Sequence, residues 1–393
     1  MASDEVYRAS TFAPVNIAVI KYWGKRDPKL NLPTNSSLSV TLSQDDLRTH
    51  TTASCSPSIP HDSLTLNGSD QDISGARTQA CLHELRTQRQ QLEDGDSTLP
   101  KLAAMKLKLV SENNFPTAAG LASSAAGFAA LVRVIADLYA FPLTPTQLSR
   151  IARQGSGSAC RSLMGGYVAW EKGVEADGSD SVAYEVAPAH HWPDMRALIL
   201  VASAEKKDVS STAGMQQTVA SSALFEQRVK EVVPKRMRAM EKAIHERDFA
   251  AFAALTRKDS NNFHACCLDT DPPIFYMNDT SRCAVRICEA INANHEASAG
   301  KEGPVCTYTF DAGPNAVVYY LADNEEEVVG VFKSIVGDKT GWEGKRGQTV
   351  KRMNDAGALK GMEVAVEGLK KGVSRVILTG VGDGPRKTEE HLC

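Results

Sequence analysis

The stretch NNFPTAAGLASSAAGFAAL, residues 113–131, joins two segments of different periodicity. Before it, Lys106–Val110 alternates, with Leu107 and Leu109 on one face, which predicts a strand. After it, apolar residues recur at helical spacing from Phe128 to Leu138, which predicts a helix with one buried face. The first unit that the sequence predicts is therefore a strand, a loop of small residues and an amphipathic helix.

The loop in this unit, Pro116–Gly127, consists almost entirely of small residues. Small residues let a backbone approach a ligand closely, and a helix N-terminus offers unpaired N–H groups to a phosphate. Ser123 and Ser124 could add hydroxyl groups toward a phosphate or a magnesium ion. A tight turn with a serine N-cap fits the same residues. The chain contains no GxxxxGKS or GxxxxGKT motif, so the loop is not a Walker loop.

Two further alternating stretches, Val15–Val19 and Leu38–Leu42, predict strands near the N-terminus. The residues between them, KYWGKRDPKLNLPTNSS at 21–37, are rich in Gly, Pro, Asn and Lys and predict a loop. Polar composition predicts surface loops over residues 86–100 and 174–182.

The second half of the chain also mixes strand and helix patterns. Residues 196–203 predict a strand, and residues 222–257 predict helix with a break at Pro234. Val305–Phe310 and Ala316–Leu321 predict two more strands. The mixture predicts an α+β protein in two halves.

Length and composition narrow the class of protein. A chain of 393 residues exceeds one ordinary core, and a boundary near Pro188–Pro193 predicts domains at 1–190 and 191–393. The net charge of −3 argues against general nucleic-acid binding. Nine cysteines without a CxxC motif suggest reduced thiols, and the N-terminus lacks the pattern of a secretory signal. We therefore expect a soluble, cytoplasmic protein.

A pair of lysines is the first candidate anion site. Lys21 and Lys25 flank Tyr22, Trp23 and Gly24 just beyond a predicted strand. Two positive charges so close together in a net-acidic protein suit an anionic substrate. Solvated surface lysines are the alternative interpretation.

Two other segments carry groups that could act on such a substrate. In Gly155–Arg161, GSGSACR, the arginine could bind a carboxylate or phosphate with two hydrogen bonds, or form a surface ion pair in a plain loop. Asp311 heads a Gly-Pro turn, where it either accepts from turn N–H groups or acts as a catalytic carboxylate near Arg161. The glycines of Gly380–Gly384 indicate only a turn, because no helix follows them.

Six segments, spread in order from about residue 13 to about residue 320, carry a resemblance to one family. They are APVNIAVIKYWGKRDPKLNLPTNSSLSVTLS, NNFPTAAGLASSAAGFAAL, GSGSACRSLMGGYVAWEKG, VSSTAGMQ, KDSNNFHACCLDTDPPIFYMN and YTFDAGPNAVVYYL. Together they resemble mevalonate diphosphate decarboxylases, especially the fungal branch. That family belongs to a superfamily with galactokinase, homoserine kinase, mevalonate kinase and phosphomevalonate kinase. The loop reads GLASS where the kinases commonly read GLGSS, which favours the decarboxylase branch.

The resemblance implies a fold, an activity and partners. The fold would be an N-terminal domain like ribosomal protein S5 domain 2 and a ferredoxin-like C-terminal domain, with the active site in the cleft between them. The activity would be the ATP-dependent decarboxylation of 5-diphosphomevalonate in isoprenoid and sterol biosynthesis. A homodimer is implied, with ATP and Mg2+ as cofactors. The metal would be held mainly through ATP.

The resemblance also implies which residues form the site. The catalytic residues would be Asp311, Arg161, Lys21 and Ser124. The ATP phosphate loop would be Ala119, Gly120, Leu121, Ala122, Ser123 and Ser124, with Ser124 also able to contact Mg2+. The substrate-binding residues would be Tyr22, Trp23, Gly24, Lys25, Arg77, Ser156, Gly157, Ser158, Ala159, Cys160, Arg161, Ser211 and Thr212.

Two other functions stay open. A small-molecule kinase of the same superfamily would give a stable phosphorylated product and release no CO2. A non-catalytic ligand-binding protein on the same scaffold would bind ATP or substrate and tolerate the loss of Asp311.

Overall fold

The computed structural model describes residues 5–115, 123–202, 209–299, 303–353 and 357–393. It combines helices with mainly antiparallel sheets, which confirms the α+β class. Residues 119–122 of the expected phosphate loop lie outside the described residues. In the part that is described, no helix is both long and apolar enough to cross a membrane. All nine cysteines are free thiols.

The strands that the structure describes form one six-stranded sheet, two four-stranded sheets and a two-stranded hairpin. In chain order they are β1 (Tyr7–Pro14), β2 (Asn16–Ile20), β3 (Lys25–Asp27), β4 (Leu32–Pro33), β5 (Ser37–Thr41), β6 (Arg48–Ser56), β7 (Ser63–Leu66), β8 (Ser69–Asp70), β9 (Lys106–Asn113), β10 (Tyr167–Trp170), β11 (Ala183–Ala187), β12 (Met195–Ala202), β13 (Cys306–Thr309), β14 (Ala316–Leu321), β15 (Val373–Gly380) and β16 (Arg386–Lys387).

The helices pack on these sheets. In chain order they are α1 (Ala76–Gly95), α2 (Ser123–Leu138), α3 (Pro145–Gly155), α4 (Ser211–Ser221), α5 (Ala223–Gln227), α6 (Val233–Glu246), α7 (Phe249–Leu268), α8 (Asp279–Ala299), α9 (Glu325–Val336), α10 (Lys345–Thr349) and α11 (Glu363–Gly372). A 3-10 segment, Gly157–Leu163, follows α3, and a π-helical turn, Arg228–Val232, joins α5 to α6.

The six-stranded sheet has the order β16-β1-β6-β9-β7-β8, and only β7 and β9 run parallel. Helix α2 packs across β1 and β6 and buries its apolar face, including Leu131, Val132 and Ile135. The strand and helix predicted on either side of the small-residue loop are thus confirmed as β9 and α2.

The first four-stranded sheet has the order β11-β10-β5-β2, and its edge strand β2 leads directly into the segment that begins with Lys21. Both predicted N-terminal strands are confirmed as β2 and β5, and every residue of each is buried. They are buried because the hydrophobic core on them continues into α6, α7 and the C-terminal sheet. Strand β2 ends at Ile20, so Lys21 emerges directly from a buried strand.

The C-terminal sheet has the order β13-β14-β12-β15 with all neighbours antiparallel. Its four strands therefore lie in the spatial order second, third, first and fourth, which is the ferredoxin-like arrangement that the resemblance implied. Strand β12 alternates between two cores: Ala197 and Ile199 face α6 and α7, whereas Leu198 and Leu200 face α8, α9 and α11.

The predicted loop at residues 86–100 is wrong for most of its length, since helix α1 continues to Gly95. The buried face of the helix ends in two charged residues, Arg89 and Glu93, joined by a 2.8 Å ion pair. Arg89 also donates to the carbonyls of Tyr139 and Pro100, both at 2.7 Å. A buried polar network replaces the apolar stripe by which sequence reasoning finds a helix.

Two other local predictions need correction. The loop predicted at residues 21–37 contains the short hairpin of β3 and β4. Pro234 does not break the helical region outright, because it lies in the first turn of α6, where a missing N–H costs no helical bond. The chain reverses instead at Arg247, which has a left-handed φ of 55° and ends α6.

Candidate active site

The central feature of the site is an ion pair between the two halves of the chain. Lys21, just beyond β2, places its Nζ 2.5 Å from Oδ1 of Asp311 in the loop between β13 and β14. The Lys21 side chain is only 3% exposed, whereas that of Asp311 is 36% exposed. The carboxylate is therefore the open member of the pair, and the amine is its buried support.

A buried arginine lies beside this pair. Arg161, in the 3-10 segment, is 1% exposed. Its Nε donates to Ser39 Oγ at 3.1 Å and to Asn16 Oδ1 at 3.3 Å, and its Nη1 donates to Ser37 Oγ at 2.6 Å. All these acceptors are neutral, and no carboxylate among the described residues forms an ion pair with Arg161. The guanidinium is thus positioned without being neutralised.

Charges in this cluster act on one another. Burial lowers the pKa of Lys21 and that of Arg161, because the interior disfavours a charged group. Asp311 opposes both shifts, while Arg161 lowers the pKa of Lys21 further. Burial and the nearby Lys21 charge lower the pKa of His264 to about 4, so this histidine is neutral near pH 7. The cluster carries excess positive charge and suits an anion.

A second cationic cluster lies around Lys25. Lys25 is 8% exposed, and burial followed by the charge of Arg77 lowers its pKa to about 8. Arg77, in the first turn of α1, donates from Nη2 to Thr212 Oγ1 at 2.9 Å. Thr212 and Ser211 form the first turn of α4. Residues distant in sequence thus meet here, with two cations and hydroxyl groups suited to a phosphate group.

Aromatic rings form a wall next to Arg161. Tyr22 and Trp170 meet edge to face with ring centroids 4.7 Å apart. Gly157 fits closely against both rings, since an added Cβ would lie 2.7 Å from a Tyr22 ring carbon and 2.9 Å from a Trp170 carbon. Burial raises the pKa of Tyr22, so the phenol stays protonated. The wall is therefore rigid, apolar and closely fitted.

The N-terminus of α2 meets the same segment. Ser124 Oγ lies 3.5 Å from Ser156 Oγ, so the helix start and the residue before the 3-10 segment are adjacent. Ser124 is exposed and Ser123 half-buried. This brings Ser124, the last residue of the expected nucleotide loop, beside Ser156 of the expected substrate segment. Residues 119–122 of that loop lie outside the described residues.

Several expected substrate residues are buried and pack against or hydrogen-bond to neighbouring parts of the protein. Trp23 packs on Phe263 and Tyr276 and donates its indole N–H to Thr218 Oγ1 at 3.0 Å. Gly24 has a left-handed φ of 77°. The remaining ones lie in the 3-10 segment: Ser158 accepts through its carbonyl from Asn16, Ala159 is fully buried, and the Cys160 thiol donates to the Gly157 carbonyl.

Sequence reasoning missed the residues that hold these groups. Asn16 begins the otherwise apolar strand β2, and Ser37 and Ser39 alternate with Leu38 and Val40 in β5. This contrast could have identified them. Asp259 and Arg228 form a fully buried ion pair at 2.9 Å next to the Lys21 backbone. Arg228 lies in a stretch that the sequence predicts only as helix. Asp259 lies in the segment KDSNNFHACCLDTDPPIFYMN, which carries the family resemblance but from which no site residue was named.

The described residues contain no group of three or more acidic, histidine or cysteine side chains that could hold a metal ion. The exposed Ser124 hydroxyl offers an oxygen of the kind that magnesium binds.

Comparisons with known proteins agree over both halves of the chain. Residues 13–183 match the family model of the diphosphomevalonate decarboxylase-like N-terminal domain, and residues 197–388 match that of the mevalonate 5-diphosphate decarboxylase C-terminal domain. The chain is 64% identical over 393 residues to diphosphomevalonate decarboxylase mvd1 of Aspergillus fumigatus, a match that covers 98% of this chain and 96% of that protein.

Solved structures give the same result. A crystal structure of mevalonate 5-diphosphate decarboxylase matches with a TM-score of 0.88 and 54% identity, covering 98% of each chain. The structure of MDDEF in complex with MVAPP, AMPPCP and magnesium matches with a TM-score of 0.74 and 29% identity, covering 98% of this chain and 100% of that one. With both family models and a close relative matched along its length, the chain belongs to the diphosphomevalonate decarboxylase family.

Proposed function

We propose that this chain converts (R)-5-diphosphomevalonate and ATP to isopentenyl diphosphate, ADP, phosphate and CO2. The reaction would serve the mevalonate pathway of isoprenoid and sterol biosynthesis. The observation that carries the proposal is the Lys21–Asp311 ion pair beside the Arg161 guanidinium, which has no carboxylate partner in the described part of the chain. Family membership supports the same activity.

The chemistry of the substrate explains why ATP is required. Diphosphomevalonate carries a tertiary hydroxyl group β to a carboxylate, and hydroxide is a poor leaving group. Phosphorylation of that oxygen turns it into phosphate, a good leaving group. When the phosphate departs, positive character develops at the tertiary carbon, and the carboxylate leaves as CO2. The electron pair of the broken C–C bond, which joined the carboxylate to its neighbouring carbon, forms the new double bond. No carbonyl electron sink is therefore needed.

Asp311 would orient the tertiary hydroxyl and accept its proton. Its partly exposed carboxylate is held by Lys21 through one oxygen, Oδ1, which leaves Oδ2 available for the substrate. Geometry matters more than basicity here, because a tertiary alcohol is much less acidic than a carboxylic acid. We expect proton transfer to follow, rather than precede, most of the phosphoryl transfer.

Arg161 would bind the substrate carboxylate that finally leaves as CO2. Its guanidinium has a fixed direction, because Asn16 and Ser39 hold its Nε and Ser37 holds its Nη1. The Tyr22 and Trp170 rings exclude water on one side, which strengthens an ionic hydrogen bond. Lys21 would add positive charge where the phosphoryl group is transferred.

Lys25 and Arg77 would bind the diphosphate of the substrate. They lie close enough for the Arg77 charge to lower the pKa of Lys25, and Arg77 also contacts Thr212. Two cations facing each other without a counter-ion repel, and a bound diphosphate removes that repulsion. This anchor would place the other end of the substrate at Asp311.

The nucleotide would bind where α2 begins. Ser123 and Ser124 offer hydroxyl groups there, and helix N-terminal amides favour a phosphate. The exposed Ser124 hydroxyl would serve as one ligand of a metal that arrives with the nucleotide. Mg2+, when bound, would neutralise charge on the ATP phosphates.

We also propose a cytoplasmic homodimer with domains at residues 1–190 and 191–393. The family models, which match 13–183 and 197–388, leave a short unmatched stretch around that boundary. Sedimentation of the purified protein would test the dimer. A sedimentation coefficient of a monomer at micromolar concentration would contradict it.

The deciding experiment is incubation with ATP, Mg2+ and 5-diphosphomevalonate, measuring CO2 and isopentenyl diphosphate. We expect both products in equal amounts. A stable phosphorylated product without CO2 would instead support a kinase, and mevalonate and phosphomevalonate should be tested as its substrates. Asp311→Ala should abolish turnover and leave substrate binding nearly intact, because the diphosphate anchor is unchanged. Near-normal turnover of Asp311→Ala would remove Asp311 from catalysis.

A further inference from the structure

Asp259 is a buried carboxylate for which the proposed reaction has no direct use. It is 0% exposed, and both of its oxygens are occupied. Arg228 donates to Oδ1 and Oδ2, each at 2.9 Å, and Arg236 donates to Oδ1 at 3.0 Å. Asp259 and Arg228 are both fully buried, and burying two charged groups is costly even when they pair.

The group to which Asp259 and Arg228 attach is the backbone of Lys21. The Lys21 N–H donates to Asp259 Oδ2 at 2.8 Å, and the Lys21 carbonyl accepts from Arg228 Nη2 at 3.2 Å and from Asn35 Nδ2 at 2.9 Å. The pairing of β2 with β5 ends at Ile20, after an irregular register. The sheet therefore does not position Lys21, and the ion pair between Asp259 and Arg228 does.

The next residue of α7 holds the other half of the catalytic pair. Ser260 is 0% exposed, and its Oγ accepts from the N–H of Phe310 at 3.0 Å. Phe310 immediately precedes Asp311. Two consecutive residues of one helix thus hold the backbones that carry Lys21 and Asp311.

We propose that Asp259 and Ser260 are positioning residues, which fix the main chains next to Lys21 and Asp311 and thereby set the geometry of that ion pair. Neither would touch the substrate. The inference rests on the proposed roles of Lys21 and Asp311. Because a misplacement of about 1 Å can slow a reaction about 100-fold, the loss of either contact should reduce kcat. The Michaelis constant should change little, because Lys25 and Arg77 are unaffected.

Ser260→Ala with Thr256→Val as its control gives the first test. Thr256 lies one turn earlier on α7, is 0% exposed, and its hydroxyl has no hydrogen-bond partner in the described structure. Both variants remove a buried hydroxyl from the same helix, but only Ser260→Ala frees the Phe310 N–H. We expect kcat to fall on the order of 10- to 100-fold in Ser260→Ala and to stay at the wild-type value in Thr256→Val.

The charge of Asp259 gives a second test that a purely structural role would not pass. The charged or titratable groups that face Lys21 are Asp311 from the β13–β14 loop, Asp259 and His264 from α7, Arg161 from the 3-10 segment and Arg228 from the π-helical turn. Asp259→Asn leaves Arg228 and Arg236 uncompensated near Lys21. Protonated Lys21 is then less favoured, so the alkaline limb of kcat should move to lower pH.

Arg236→Gln is the matched variant of opposite sign. Arg236 contacts Asp259 but, in the described structure, not the Lys21 backbone, so its loss removes a cation and keeps the Lys21 contact. Loss of this cation favours protonated Lys21, so the alkaline limb should move to higher pH. Shifts of the alkaline limb in opposite directions in Asp259→Asn and Arg236→Gln would support the proposal. A loss of stability alone would not move the limb down in one variant and up in the other.

The proposal is overturned if Ser260→Ala keeps the kcat of Thr256→Val. It is also overturned if folded Asp259→Asn keeps both the kcat and the alkaline limb of the wild type. If Asp259→Asn does not fold, the Ser260 comparison still decides. Absence of CO2 release by the wild-type protein would count against the proposed function itself, and that result is separate from the variant comparison.

Discussion

Arg161 holds a buried positive charge for which the described chain supplies no carboxylate partner. Such a charge costs stability in the free protein and becomes favourable only when an anion binds. Stability and activity should therefore respond in opposite directions when the charge is removed. This separates a binding arginine from an arginine that merely holds the fold together.

We predict that Arg161→Gln loses about 100-fold or more in kcat/KM, since a charged hydrogen bond contributes up to about 3 kcal/mol. Urea unfolding should show equal or higher stability of this variant. Arg150→Gln is the control, because Arg150 is exposed on α3 and has no polar partner in the described chain. Wild-type kinetics for Arg161→Gln would remove Arg161 from the site.

The proposed contact of Lys25 with the diphosphate predicts that substrate binding depends on pH. Burial, and then Arg77, lowers the pKa of Lys25 to about 8. A bound diphosphate favours the charged amine, so its pKa should rise in the complex. Below about pH 8 the Lys25 amine is already protonated in the free protein. Above that pH the free amine is neutral, so it must take up a proton when the diphosphate binds. The Michaelis constant for 5-diphosphomevalonate should therefore increase as the pH rises through about 8.

Measurement of KM against pH, at saturating ATP, checks this expectation. Lys25→Arg is the informative comparison, because a guanidinium stays charged over the whole range and should make KM independent of pH. A wild-type KM that is flat from about pH 7 to about pH 9 would mean that Lys25 does not bind the diphosphate.

At the level of elements, α3 shows how a local signal supports the site. Thr144 accepts from the N–H of Gln147, and the Gln147 side chain accepts from the Thr144 N–H, so the helix begins with a capping box and Pro145. Helix α3 runs directly into the 3-10 segment that carries Arg161. The cap therefore fixes where α3 begins, and the helix that it starts leads into that segment.

Thr144→Ala should lower the free energy of unfolding by about 1 kcal/mol, which is the usual cost of losing an N-cap hydroxyl. Thr146→Ala provides the comparison, because the Thr146 side chain makes no hydrogen bond within the described structure. Urea unfolding of both variants measures the difference. Equal stability of the two variants would show that the capping box contributes nothing.

Strands and helices with a clear apolar period were predictable at this scale. The helix from Ser123 to Leu138 and the strands β2, β5, β9, β12, β13 and β14 follow from local pattern, because their apolar residues recur at the spacing of a helix or a strand or form short apolar runs. Helix α1 did not, since its buried Arg89 and Glu93 satisfy each other through contacts that local sequence does not show.

At the level of the whole molecule, the C-terminal tail ties the end of the chain to the first sheet. Strand β16 pairs with β1, and the Thr388 N–H donates to the Ser10 carbonyl at 3.0 Å. His391 Nδ1 lies 2.7 Å from Ser10 Oγ, and the Leu392 N–H donates to Thr52 Oγ1 at 2.8 Å. Residues separated by most of the chain thus stabilise one edge of the sheet.

A variant that lacks residues 388–393 should lose about 1–3 kcal/mol of stability, because several partly buried hydrogen bonds disappear together. Its kcat should remain close to the wild-type value, since none of these contacts involves the residues around Asp311. Removal of Cys393 alone is the control. Wild-type thermal stability of the shorter chain would contradict the stabilising role of the tail.

The sequence by itself determined the α+β class, most of the strands, the helix after the small-residue loop and the motifs of the family. These follow from local periodicity and from short segments whose residues are neighbours in the chain. The lysine segment, the Arg161 segment and the Asp311 turn could all be named in this way. Their meeting could not, because Lys21 and Asp311 lie 290 positions apart.

Only the tertiary structure decided which polar groups meet and which charges stay uncompensated. The packing of α7 between two sheets places Asp259 at the Lys21 backbone and Ser260 at Phe310. Burial then lowers the pKa of Lys21 and leaves Arg161 among neutral acceptors. Desolvation and long-range contacts depend on where distant segments pack, and no window of local sequence contains that information.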